Sequence, residues 1–81
     1  MYVYAIISSF QGVIDGVVFA STNRDDAGAE LDRLVREQVV LMYGEGARGW
    51  SLDDVWLEYG IAIESCAKVT DYVLDEFEVK E

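Results

Sequence analysis

The sequence predicts one small α+β domain covering residues 1–81, with elements in the order β-β-α-α-β and a three-stranded antiparallel sheet carrying one or two helices on one face. Three observations predict it. Two β-rich stretches open the chain with a turn signal between them. A long central stretch has apolar residues at helical spacing and signals at both ends, and a closing stretch alternates apolar and polar residues. A chain of 81 residues buries only about 60–65% of its unfolded surface, enough apolar material for a single core.

Tyr2 to Ser9 places aromatic and β-branched side chains on both faces, as a buried or central strand requires, and Val13 to Ala20 repeats that character. Asp15-Gly16 is by itself the stronger two-residue hairpin signal. A turn at Gln11-Gly12 leaves two strands of similar length, and Gly16 then marks a bulge or a close backbone approach.

The next stretch, from Ser21 to Gly46, reads as a helix. Thr22 can cap its first turn, Asp25 and Asp26 suit the positive end of the dipole, and Gly44 or Gly46 can end it. Ala27, Leu31, Leu34, Val35, Gln38, Val39 and Met42 share one face, while Glu30, Arg33, Arg36 and Glu37 face water. Gly28 is a poor helix former whose missing side chain suits a close approach to the sheet. The glycine-rich segment from Gly44 to Trp50 reads as a flexible connection.

From Ser51 onward two readings compete. As a helix, Ser51 with Asp54 resembles a capping box, and Leu52, Val55, Trp56, Tyr59, Ile63, Cys66 and Ala67 form an apolar stripe, with Leu57 and Ile61 pointing away from it. As a shorter helix ending at Gly60, it leaves residues 61–69 alternating like a fourth strand. The longer helix accounts for more residues. Tyr72 to Lys80 alternates as the last strand, with Val73, Phe77 and Val79 on one side and Tyr72, Leu74, Glu76 and Glu78 on the other.

With 52% hydrophobic and 27% charged residues the chain is too apolar for disorder, despite a net charge of −10. The charge is uneven: residues 1–50 carry seven acids and four bases, and residues 51–81 carry nine acids and two bases. A field of this sign repels nucleic acid and anionic membranes and attracts basic proteins. No apolar run approaches the roughly 18–20 residues of a membrane span, no basic flank precedes the apolar start, and a lone Cys66 excludes an internal disulfide. A cytoplasmic protein with no direct nucleic-acid or membrane partner is the expectation.

No histidine is present, which removes the usual neutral-pH acid-base group, Ser-His and Cys-His nucleophile pairs, and histidine metal sites. Cys66 reads as a small buried hydrophobe. Asp25-Asp26 and Asp53-Asp54 lie in helix first turns, where acids are favoured by the dipole, and Asp75-Glu76 would point to opposite strand faces. Gly44, Gly46 and Gly49 lack the following Gly-Lys-Ser/Thr of a phosphate loop. The expectation is a protein that is not an enzyme and needs no cofactor or metal.

What remains is a binding surface. Glu76 and Glu78 project from one strand face about 7 Å apart, a repeat comparable with phosphate spacing, with Tyr72 and Leu74 on that face for apolar contacts. Asp53, Asp54 and Glu58 extend the array if the second helix lies alongside, and exposed Leu57 and Ile61 offer a contact patch for a partner or a second copy. Solubility and resistance to edge pairing explain the same acids without a partner.

The elements MYVY, GVVFAST and EFEVKE resemble a frame found in small uncharacterised phage and prokaryotic proteins, over about a quarter of the chain. In size and charge the chain also resembles small acidic phage inhibitors of host defence, among them anti-CRISPR proteins and DNA mimics. That resemblance implies an inhibitor in the host cytoplasm, engaging a basic surface of a nucleic-acid-binding complex. The alternative is a homo-oligomeric structural or assembly subunit using exposed apolar residues.

Overall fold

The computed structural model describes residues 1–65 and 68–80. Two strands, β1 (Tyr2–Phe10) and β2 (Val13–Ser21), lead into a 20-residue helix α1 (Arg24–Tyr43), and after a 3-10 helix (Glu45–Gly49) come α2 (Leu52–Glu64) and β3 (Asp71–Glu78). The sheet is antiparallel in the order β2-β1-β3, so the first strand is central. The expected α+β class and β-β-α-α-β order hold, and residues 61–64 continue α2, so the sheet has three strands.

The β1–β2 hairpin turns at Gln11-Gly12, with φ of 50° and 83°, the two positive angles that a two-residue turn matching strand twist needs. Along β2 the pairing slips twice. Ile6 faces Phe19 but Ile7 faces Val17, and Ser8 faces Gly16 but Ser9 faces Ile14, so Val18 and Asp15 are extra residues. Gly16, at φ 134°, stands beside the second slip, in the bulge role expected for it.

One sheet face is covered by α1, which packs on all three strands. Ile6 is fully buried there, and Ser8 is buried beside it. On its other flank α1 packs against α2, and Val35, Val39, Val40, Ala47, Val55 and Tyr59 form the core cluster, with Leu31, Trp56 and Tyr72 against it. Full burial of side chains of this size contributes about 1.5–3 kcal/mol each, which is why α1 with its two apolar flanks organises the molecule.

Several local details differ from expectation, each for a physical reason. Asn23, not Thr22, caps α1: its Oδ1 accepts from the backbone N–H groups of Asp25 and Asp26 at 2.9 and 3.3 Å. Arg36 does not face water. Its guanidinium donates to the carbonyls of Ala47, Arg48 and Trp50 at 3.3, 3.2 and 2.8 Å, and Arg48 pairs with Glu37 and Glu45. The segment read as a flexible connection is thus a 3-10 turn held along α1. A Cβ built at Gly28 would meet nothing within 4 Å, so close approach is not its reason. β3 runs from Asp71 to Glu78, one residue earlier than expected at its start, and the Val79 N–H still donates to the Met1 carbonyl at 2.8 Å.

α2 is capped by Ser51, whose Oγ accepts from the Asp54 N–H at 3.2 Å, as expected. Its stripe holds through Val55, Trp56, Tyr59 and Ile63, while Leu52 is exposed; the Cys66 and Ala67 positions of the stripe lie outside the described residues. The connection to β3 is pinned at Thr70. Its N–H donates to Gln38 Oε1 at 3.0 Å and its carbonyl accepts from the Tyr59 hydroxyl at 2.7 Å, which in turn accepts from the Tyr72 N–H at 2.9 Å. Gln38 sits on an otherwise apolar helix face to receive that amide.

Candidate protein-binding site

Residues directly opposite each other in an antiparallel ladder share a face. Tyr4, Ile6 and Ser8 pair with Glu76, Leu74 and Tyr72 on the helix side, and Val3, Ala5 and Ile7 pair with Phe77, Asp75 and Val73 on the other. The two slips in β2 put Ile14, Val17 and Ala20 together on that second face, because each passes over one extra residue between a spacing of three. No helix covers it. Ile14 is 73% exposed, Val17 61%, Phe77 48% and Val73 47%, with Val3 and Ile7 half-buried between them. The side is open and apolar, and it is a larger apolar feature than Leu57 and Ile61, which are exposed one turn apart on α2 as expected.

The three strands carry five charged residues, Asp15, Asp71, Asp75, Glu76 and Glu78, and none is basic. Asp71 and Asp75 stand on the open face, opposite Ser9 and Ala5. Glu76 and Glu78 share the helix-side face with Tyr72 and Leu74, as the alternation expects, and both glutamates are exposed. Tyr72, however, packs on the core and Leu74 is half-buried, so their apolar surface faces inward beneath α1.

The α2 acids lie elsewhere. Tyr4 pairs with both Ser21 and Glu76, which places Glu76 at the end of the sheet where α1 begins. Glu58 instead accepts a hydrogen bond from the hydroxyl of Tyr43, the last residue of α1, at 2.7 Å. A helix of 20 residues is about 30 Å long, so the two acidic groups sit at opposite ends of α1 and do not form one array. Exposed Asp25 and Asp26, in the first turn of α1, lie toward the same end of the sheet as Glu76 and Glu78.

At the other end Asp54 and Glu58 line a hollow of about 240 Å³ with Trp50, and Tyr43 packs on Trp50 with ring centroids 5.1 Å apart. The hydrogen bond to Glu58 raises the Tyr43 pKa. That hollow is smaller than the roughly 300–1,000 Å³ of small-molecule pockets. Asp53, in the first turn of α2, is exposed. The hydrogen bond from Arg48 holds the Glu37 carboxyl below the usual range.

The exposed β2 residues escape a search for alternation, since Ile14, Val17 and Ala20 repeat every third residue. The signal that could find them is the glycine at 16, which marks where the period breaks. Comparison with protein-family models, with curated proteins and with solved structures gives no match to this chain.

Proposed function

We propose that this chain is a non-enzymatic protein-binding module that engages a basic surface of a nucleic-acid-binding protein, in the manner of a phage or mobile-element inhibitor. One observation carries the reading: a sheet whose only charges are acidic, next to an open apolar face. Basic proteins are drawn to such a field, and apolar contact then holds them. The exposed Glu76 and Glu78, two residues apart on one strand face, support the nucleic-acid-mimicking form of the reading.

Affinity capture from a cell lysate, with Glu76→Lys/Glu78→Lys as control, tests it. Captured proteins should be released by duplex DNA and by raised salt, and lost with the control. Capture indifferent to all three overturns the reading. The exposed Leu57 and Ile61 favour a second reading, a homo-oligomer or assembly subunit. A strict monomer in sedimentation at high concentration removes it.

A further inference from the structure

We infer that the open sheet face binds a basic amphipathic helix of the partner, its apolar stripe on Val3, Ile7, Val17, Val73 and Phe77 and its flanking lysines or arginines on Asp71 and Asp75. This rests on the reading of the chain as an acidic binding module and assigns a further contact with the partner, on the sheet face opposite Glu76 and Glu78, with its class of ligand.

The opposite face supplies the geometric precedent. There a single helix, α1, packs on all three strands. Three strands about 4.8 Å apart, each of eight or nine residues rising about 3.4 Å, make a surface that one helix about 10 Å across can cover. The open face has the same strands and the same width. Its central strand offers Val3, Ala5 and Ile7, so the small Ala5, beside Ala20, leaves a shallow dip between larger side chains on either side.

Charge decides what covers it. A second copy packed sheet to sheet would bring Asp71 and Asp75 of both chains to one interface where no strand residue is basic. A second copy's α2, offering Leu57 and Ile61, carries Asp53, Asp54, Glu58 and Glu64 and no base. The apolar stripe of α1 is already spent on its own sheet and α2. Among the described residues no helix therefore suits this face, and a cationic helix from another protein meets both its apolar centre and its aspartates.

The test uses an 18-residue peptide of leucine, lysine and arginine arranged as an amphipathic helix, a scrambled peptide of the same composition, and an amphipathic version with glutamate for every base. Binding to the intact protein is followed by calorimetry and by NMR shift mapping. The basic helix should bind, shifting Val17, Val73 and Phe77, while the scrambled and acidic peptides bind at least tenfold more weakly. Val17→Thr/Val73→Thr and, separately, Asp71→Asn/Asp75→Asn should each weaken it about tenfold, and Glu76→Gln/Glu78→Gln should change it less than twofold. Circular dichroism checks that each variant is folded, and either open-face pair alone suffices. Equal binding of the basic and scrambled peptides, or loss only with the Glu76/Glu78 pair, overturns the inference and leaves the acidic-module reading standing. No binding of either basic peptide overturns the inference, and the capture experiment then decides the acidic-module reading by itself. A dimer in sedimentation that Val17→Thr/Val73→Thr dissolves would assign the face to a second copy and overturn the inference as well.

Discussion

Tyr59 joins three parts of the molecule through one hydroxyl, donating to the Thr70 carbonyl, accepting from the Tyr72 N–H, and resting its ring edge-on to Trp56 with centroids 5.8 Å apart. Burial pushes its phenol up from 10.0 to about 12. The folded state therefore favours the protonated phenol, so this contribution to stability is complete below pH 10 and is lost as pH rises through about 12. Tyr59→Phe strands a half-buried carbonyl and amide and should cost about 1–3 kcal/mol at neutral pH. It should also flatten the fall of stability between pH 10 and 12, and denaturant titrations across that range check both effects. A variant as stable as the parent at pH 7 would mean that Thr70 is held by other contacts.

The helices invite a test of a different kind. Gly28 in α1 and Gly60 in α2 lie inside helical spans, and a Cβ at either would meet nothing within 4 Å. Gly28→Ala and Gly60→Ala should each stabilise the protein by up to about 1 kcal/mol, read as a raised thermal midpoint. How far such elements can be read from the chain depends on how local their causes are. Both hairpin strands, the Gln11-Gly12 turn and the Ser51 cap follow from neighbours in sequence and stand as expected, and the long reading of α2 holds as far as Glu64. Arg36 could not be placed this way, because its partners are carbonyls 11 to 14 residues on, in a segment whose glycines suggest looseness. Thr22 lost the cap by a single residue to Asn23, the stronger capping side chain of the two. The candidate site was half legible. Alternation put Val73 and Phe77 on one side and the glutamates on the other, but the bulges that gather Ile14 and Val17 beside them depend on register with β1.

For the whole molecule, charge and the open face oppose each other. A contiguous apolar surface favours association, and a net charge of −10 keeps copies apart at neutral pH. Lowering the pH toward the sequence isoelectric point of about 4.1 removes that repulsion. Light scattering should then report self-association that Val17→Thr/Val73→Thr suppresses; a monodisperse protein at that pH would mean that the face is not adhesive. The pinning of Thr70 has its own consequence for deuterium uptake. That residue precedes β3, yet its amide is fastened to α1 and its carbonyl to α2. The Thr70 amide should take up deuterium in step with the interior of the two helices, whereas β3 exchanges with the sheet, so the strand and the residue leading into it would report two separate opening events.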